Sequence, residues 1–184
     1  MIKKVFIIFI FILFINQSYA SENLMILKLK HGDVLIELYK DIAPNHVKRF
    51  VQLAKEKKYD GVVFHRVIDG FMAQTGDIQF GNYNLESYNL QRAGTGGSEY
   101  PDLKAEFSDI PHERGILSMA RSSDPDSANS QFFICFAAAF HLDRQYTVFG
   151  KVVEGMEFID LIERGEGSSG KVSTPDKIIS LRVK

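Results

Sequence analysis

The sequence of 184 residues has no tryptophan, a single cysteine and no excess of either charge. Its 22 Lys and Arg stand against 23 Asp and Glu, so it lacks the clustered basic residues that nucleic-acid binding needs. Because Cys135 is alone, the chain forms neither an internal disulfide nor a thiolate metal cluster. The five histidines never pair at a metal-ligand spacing such as i, i+4, so we expect no metal and no cofactor. The length suits one domain with a full hydrophobic core.

Residues 1–20 are predicted to form a cleavable signal peptide. Two lysines precede an apolar run over residues 5–15, and Ser18 and Ala20 provide small side chains at −3 and −1 of a cut after Ala20. An uncleaved membrane anchor is the alternative, but this run would rise only about 16 Å as a helix, against a hydrocarbon core of roughly 30 Å. We therefore expect residues 21–184 to reach the periplasm or the medium, with no stable membrane anchor after cleavage.

The rest of the chain has the pattern of a mainly β domain. Short runs typical of strands lie at 24–30, 34–38, 62–67, 71–75, 116–120, 131–136, 146–153 and 179–183. The spacing of Val47, Phe50, Val51 and Ala54 predicts a helix from Pro44 to about residue 58, and a shorter helix is predicted over 155–163. Seven or eight strands with two helices favour a closed barrel or a sandwich. Residues 76–97 are predicted to form a long surface loop, which is usually functional in a compact domain.

One predicted strand carries a charge among apolar neighbours. Strict alternation puts Phe64 and Arg66 on one face of it, with His65 and Val67 on the other. A charge there is costly unless it is paired or faces a groove, so Arg66 is either part of a structural ion pair beneath a loop or the cation of a cleft. On another predicted strand, Gln131 and Phe133 share a face. An apolar cleft with one cation and a few amides suits an extended, partly apolar peptide.

The segment 64–77, FHRVIDGFMAQTGD, resembles the FHRVI-x-GFM-x-Q-x-GD signature of cyclophilin-type peptidyl-prolyl isomerases. Further matches follow in the same order at 94–97 (GTGG), 115–120 (GILSMA), 130–135 (SQFFIC) and 148–153 (VFGKVV). They span essentially all of residues 24–183. The resemblance implies a closed eight-stranded antiparallel β-barrel capped by two α-helices, with the isomerase domain over residues 21–184.

The resemblance also implies roles for individual side chains. Arg66 matches the catalytic arginine, and the catalytic set it implies is Arg66, Phe71, Met72, Gln74, Gln131 and Phe133. The further substrate-binding positions it implies are Ala120, Arg121, His141, Leu142 and Tyr146. Among these, the apolar side chains would receive the proline ring, the glutamines would contact the substrate backbone, and the Ala120–Arg121 strand would pair with the peptide.

Four positions depart from the pattern of the family. His141 stands where many eukaryotic members have a tryptophan, Tyr146 where they have a histidine, and Arg121 where they have an asparagine. Asp69 stands where a proline is common. The segments 119–121 (MAR) and 127–131 (SANSQ) look more like those of bacterial members. Together with the predicted signal peptide, they indicate a bacterial envelope protein. Because the missing indole matters for cyclosporin in the family, we expect weak binding of that drug. The resemblance assigns no role to the loop Phe80–Ala93.

The sequence thus predicts a peptidyl-prolyl cis-trans isomerase that accelerates rotation about X-Pro bonds and assists the folding of exported proteins. Its expected partners are proline-containing unfolded or extended polypeptides, and we expect it to act as a monomer. The alternative is a non-catalytic chaperone or adaptor module that holds proline-containing segments in the same cleft. The changed residues His141 and Tyr146 leave that alternative open.

Overall fold

The computed structural model describes residues 23–184, in which eight strands form one antiparallel sheet. The predicted signal peptide and its cleavage site lie outside the described residues. The elements are β1 Leu24–Leu29, β2 Gly32–Leu38, α1 Pro44–Lys55, β3 Arg66–Ile68, β4 Met72–Thr75, β5 Ile116–Met119, β6 Phe132–Cys135, a 3₁₀ turn Phe140–Leu142, β7 Val148–Glu154, α2 Met156–Ile159 and β8 Ser180–Val183. None of the helices in this part of the chain is long and apolar enough to cross a bilayer.

The strands follow the order β3-β4-β6-β5-β7-β2-β1-β8 in a sheet that curls into a half-barrel. The edge strands β3 and β8 do not pair with each other; the segments preceding them do. The Phe64 N–H donates to the carbonyl of Asp176 (2.8 Å), and the Ile178 N–H donates to that of Val62 (2.9 Å). The prediction of eight antiparallel strands and two helices is confirmed, whereas a closed barrel overstates a sheet whose edges meet only through these short segments.

The sheet separates two apolar clusters. Phe132 and Ile134 of β6 face the larger one, in which Phe50 of α1 packs against Phe132 and Phe149 with ring centroids 5.1 and 5.0 Å apart. Phe133, the residue between them, faces the smaller cluster on the other side. Because side chains alternate along a strand, β6 contributes to both clusters, so the site described below is backed by a fully packed core.

Two predicted elements differ from the observed ones near the site. The predicted strand 62–67 breaks at Phe64, and both Phe64 and Val67 belong to the larger core cluster, although strict alternation puts them on opposite faces. Residues 62–64 bond to 176–178, while the Val67 N–H donates to the carbonyl of Gly170 (2.7 Å), so two different partners impose the break. Strand β3 therefore begins only at Arg66.

Both helices end earlier than predicted. Helix α1 stops at Lys55 because Lys57 adopts a left-handed φ of 58°. The Lys58 N–H then donates to the carbonyl of Leu53 (2.9 Å), a bond typical of a helix C-terminus. Helix α2 covers only Met156–Ile159 of the predicted range 155–163.

The start of α1 is capped by a distant residue, Glu106. Its carboxylate accepts hydrogen bonds from the backbone N–H groups of Asn45 (3.1 Å) and His46 (3.2 Å), and it lies 2.7 Å from Nδ1 of His46. The first N–H groups of a helix lack partners within the helix and favour an anion. Burial raises the pKa of the Glu106 carboxyl, but the hydrogen bonds from His46 and Asn45 outweigh it and hold the pKa below its usual value.

We predict that Glu106→Ala lowers the free energy of unfolding by about 2 kcal/mol at pH 7, because charge-assisted bonds to the helix start are lost. The loss should shrink as the pH falls through the usual glutamate range, where the unfolded chain takes up the proton first. Urea unfolding measures both effects, with the exposed Glu113→Ala as the matched control. Equal losses in the two variants would contradict the capping role.

Candidate active site

The outer face of the sheet aligns three of the predicted site residues in one row. Arg66 pairs with Gln74, Gln74 with Phe133, and Phe133 with Ser118, so the row crosses β3, β4, β6 and β5. The neighbouring row, which faces the core, consists of Val67, Ala73, Ile134 and Leu117. The backbone ladder therefore brings a cation, an amide and an aromatic ring together on one surface.

The Arg66 guanidinium is held by neutral groups. Its NH1 donates to Oε1 of Gln74 (3.2 Å), and its Nε donates to the carbonyl of Ser169 (3.2 Å). Within the described residues these bonds occupy two of the five N–H donors of the half-buried side chain, and neither partner is a carboxylate. Within residues 23–184 Arg66 is therefore not part of a structural ion pair, and donors remain for a ligand.

The apolar side chains that were predicted to receive the proline ring lie together on the side of the sheet that carries Arg66. Met72, Phe133 and Leu142 are buried in the smaller cluster, and Phe71 packs against its edge. The Phe133 ring meets Tyr146 edge-on at 5.9 Å, and the Phe71 ring lies 5.5 Å from that of the exposed His141. The structure thus brings the predicted pocket residues together, with His141 and Tyr146 at the rim.

A polar groove continues from the apolar pocket. Ala120 and Arg121 follow β5 and line a cavity of about 470 Å³ together with Gln74 and Gln131. The Ala120 N–H donates to the carbonyl of Gln131 (3.0 Å). The Arg121 guanidinium lies 4.4 Å from the centre of the Tyr146 ring. All eleven predicted site residues therefore lie on one continuous surface.

Sequence reasoning missed the group that supports this pocket from below. The His112 ring stacks on Phe133 at 6.2 Å, with Nδ1 2.9 Å from Oδ1 of Asp143 and Nε2 3.0 Å from Oγ of Ser118. Burial lowers the pKa of His112, so the ring is neutral and its Nδ1–H donates to Asp143. The order resembles a hydrolase triad, but Ser118 is fully buried and out of reach of a substrate. A serine inside the apolar run 116–119 was the available signal, since a buried hydroxyl requires a partner.

The comparisons with known proteins decide the family. A family model described as cyclophilin type peptidyl-prolyl cis-trans isomerase/CLD matches residues 24–183. The chain belongs to the cyclophilin-type peptidyl-prolyl cis-trans isomerases. A Brucella suis protein named probable peptidyl-prolyl cis-trans isomerase is 56% identical over 163 residues, covering 88% of this chain and 83% of its own. A Helicobacter pylori peptidyl-prolyl cis-trans isomerase is 40% identical over 164 residues, covering 87% and 93%.

Solved cyclophilin structures share the fold. A cyclophilin from Hirschia baltica superposes with a TM-score of 0.74 at 26% identity, covering 89% of this chain and 74% of that one. A Cryptosporidium parvum cyclophilin, crystallised in the presence of the dipeptide Ala-Pro, gives a TM-score of 0.74 at 27% identity, covering 88% and 98%. The chain is thus a cyclophilin-type isomerase in both sequence and architecture.

His65, the neighbour of Arg66, is a buried titratable group at the back of this cyclophilin site. The side chain is buried, its ring nitrogens make no hydrogen bond within the described residues, and a Cβ added to Gly94 would lie 3.0 Å from the ring. Burial lowers the pKa of His65 from 6.5 to about 4; the Asp77 carboxylate opposes this shift, and the Arg66 cation adds to it. The ring is therefore neutral at pH 7.

We predict that His65 makes the protein less stable in acid. Because the unfolded chain binds a proton below about pH 6.5 and the folded one only near pH 4, the free energy of unfolding falls across that interval by up to about 3 kcal/mol. Urea unfolding at pH 7 and pH 4.5 measures the fall. In His65→Leu the fall should be about 2.5 kcal/mol smaller, and the other groups whose pKa folding lowers, among them His46, His112 and Glu106, contribute the fall that remains. An unchanged fall would refute the assignment.

Proposed function

We propose that this cyclophilin binds extended polypeptides in the cleft and that Arg66 is the donor which lowers the barrier to rotation about the X-Pro bond. The observation that carries the proposal is a guanidinium held by neutral partners, with N–H groups to spare, beside the apolar pocket of Met72, Phe133 and Leu142. A cation without a carboxylate partner keeps its hydrogen-bonding capacity for a ligand.

The reaction needs no nucleophile or covalent intermediate. The prolyl bond resists rotation with a barrier of about 18–20 kcal/mol because resonance gives it partial double-bond character. Unaided exchange takes tens to hundreds of seconds, and each 1.36 kcal/mol removed from the barrier gives a factor of ten. An acceleration on the order of 10⁵ therefore requires about 7 kcal/mol.

Arg66 acts through differential binding. In the twisted state the resonance is lost and the prolyl nitrogen gains a lone pair, to which the guanidinium can donate; the planar ground state offers little to this donor. A charge-assisted hydrogen bond supplies about 1.5–3 kcal/mol net, which leaves most of the 7 kcal/mol to other groups. The apolar pocket supplies the rest. It holds the proline ring and excludes water, and the exclusion of water strengthens the electrostatic field of the fixed dipoles around the ring.

The groove is proposed to select proline-containing chains. Gln131 and Ala120 flank the cavity, and their carbonyl oxygens, each of which can accept more than one hydrogen bond, are available to an extended peptide. His141 and Tyr146 form the rim, where residues flanking the proline would lie. The Cryptosporidium parvum relative crystallised in the presence of Ala-Pro supports this class of substrate.

We predict that Arg66→Ala lowers kcat/KM by two decades or more and that Arg66→Lys also performs poorly, because a point charge on a flexible stem cannot replace the guanidinium fork. The measurement is cis-to-trans exchange of an Ala-Pro peptide at 10 °C, where the uncatalysed step takes minutes. Arg114→Lys, at an exposed arginine paired with Asp160, is the matched control and should keep full activity.

The same assay separates the enzyme from a peptide-holding module. A module would bind the peptide, detected as shifts of amide resonances near Phe133, yet leave exchange in the native protein no faster than in buffer. Binding that survives Arg66→Ala, together with fast exchange only in the native protein, supports the enzyme.

We further propose that the protein is exported and assists the folding of exported proteins. Support comes from the two N-terminal lysines, the apolar run over residues 5–15 and the small residues Ser18 and Ala20. X-Pro isomerisation is slow enough to limit folding, so an isomerase in the same compartment would act on those chains.

We predict that the mature protein begins at Ser21. N-terminal sequencing and intact mass of protein expressed with its full sequence in a Gram-negative host, after periplasmic fractionation, measure this directly. Replacing both Ser18 and Ala20 by Arg should block the cut, because large charged side chains do not suit the −3 and −1 positions. A native chain that keeps its first twenty residues would support the membrane anchor instead.

A further inference from the structure

The loop Phe80–Ala93, which lies in the long segment between β4 and β5, is closed at its base by one buried carboxylate. Oδ1 of Asp77 accepts hydrogen bonds from the backbone N–H groups of Gln79 (3.1 Å) and Phe80 (2.9 Å). Oδ2 accepts from those of Gly94 (2.7 Å) and Gly96 (2.9 Å). Asp77 has no exposed surface, so this side chain ties the two ends of the loop together inside the protein.

The far end of the loop fixes the direction of two site amides. The carbonyls of Gly94 and Gly96 accept from Nε2 of Gln131 at 3.0 and 2.8 Å. The amide oxygen of Gln131 must then point away from the loop, and it accepts from Nε2 of Gln74 (3.1 Å). The oxygen of Gln74 in turn accepts from Arg66. Since carbonyls only accept, the loop dictates the orientation of every amide in this chain of hydrogen bonds.

The glycines of the GTGG segment make this approach possible. A Cβ on Gly96 would lie 2.5 Å from Oδ1 of Asp77, which is closer than any ordinary contact. Gly94 has a φ of 100°, which favours glycine, and it sits directly over the ring of His65. The loop backbone therefore reaches the carboxylate only because these positions lack side chains.

The same loop also touches the segment on the other side of Arg66. Nζ of Lys171 donates to Oε1 of Gln91 (2.7 Å), and Ser169, two residues before Lys171, accepts from Nε of Arg66 (3.2 Å). Both hydrogen-bond partners of the guanidinium are thus linked to the loop.

We propose that Asp77 is a positioning residue for Arg66. By holding Gly94 and Gly96, the carboxylate fixes Gln131, then Gln74, and through them the guanidinium. The loop Phe80–Ala93 is the structural element that this carboxylate closes. The inference rests on the proposed role of Arg66 as the catalytic donor, and it concerns how that donor is held rather than whether it acts.

The test uses Asp77→Asn in the full mature domain. If the amide oxygen of the new asparagine stays toward Gln79 and Phe80, its NH2 group faces the N–H groups of Gly94 and Gly96. Donors then face donors, so these two hydrogen bonds are lost and the far end of the loop is released. We expect kcat/KM for an Ala-Pro peptide to fall about tenfold or more, since a displacement near 1 Å is enough for such losses. The side-chain ¹H–¹⁵N resonances of Gln131, Gln74 and the Arg66 Nε–H should move together.

Thr75→Val is the matched control. Thr75 is buried at the end of β4, two residues before Asp77, and it donates one hydrogen bond, from Oγ1 to the carbonyl of Val63 (2.9 Å), outside the chain that leads to Arg66. Its loss should lower stability while leaving kcat/KM within twofold and the three side-chain resonances in place. A purely structural role for Asp77 would give the same result in both variants.

A second variant covers a failure of Asp77→Asn to fold. Gly96→Ala keeps the carboxylate and pushes the loop away from it, and it should produce the same fall in kcat/KM and the same resonance shifts. Full activity with unmoved Gln131 and Gln74 resonances in either folded variant would overturn the proposal. If the native protein itself lacked isomerase activity, the proposed function would fail, and the resonances alone would then decide whether Asp77 positions Arg66.

Discussion

The site depends above all on the register of the antiparallel ladder through β3, β4 and β6. This register sets Arg66 opposite Gln74 and Gln74 opposite Phe133. Because side chains alternate with a period of two, a slip of one residue would turn this row into the core and bring out Val67 and Ala73 instead. Because burial of Val67 and Ala73 in the core stabilises the observed register, the polar row stays at the surface. The same packing that stabilises the sheet selects the register at which the site can exist.

The strand pairing sets the positions of the backbone atoms that carry the site side chains, and hydrogen bonds set the directions in which these side chains point. A guanidinium paired with a carboxylate would be stable but would have a strong competitor for its donors. Here the partners are an amide and the Ser169 carbonyl, which orient the charge without neutralising it. Beneath the pocket, the buried His112 and Ser118 form another oriented group with the half-buried Asp143, and this group supports the Phe133 ring. Fixed dipoles of this kind act without reorganising during the reaction.

Local patterns in the sequence predicted most of the fold, because strand alternation, helix spacing and the turn residues are local properties. The signature around Arg66 likewise indicated the residues that the structure places on one surface. Apart from the two helix ends, the features that the sequence did not predict depend on contacts between residues far apart in the chain. The break at Phe64 follows from bonds to residues 176–178, and the incomplete closure of the barrel from the same segments. The Glu106 cap on α1 joins residues 60 positions apart, and spacing gives no sign of it.

The departures from the family pattern lie outside the pocket floor: at His141 and Tyr146 on the rim, at Arg121 in the polar groove, and at the exposed Asp69. His141 is exposed and Tyr146 half-buried, whereas Met72 and Phe133 on the pocket floor are buried and lie in the ladder itself. Under the mechanism proposed above, a change at the rim alters what the residues flanking a proline can touch, but it leaves the register and the hydrogen-bond chain from Asp77 to Arg66 as they are. On that proposal, peptide preference can vary within such a fold while the pocket floor and the guanidinium, which the proposed mechanism uses, are retained.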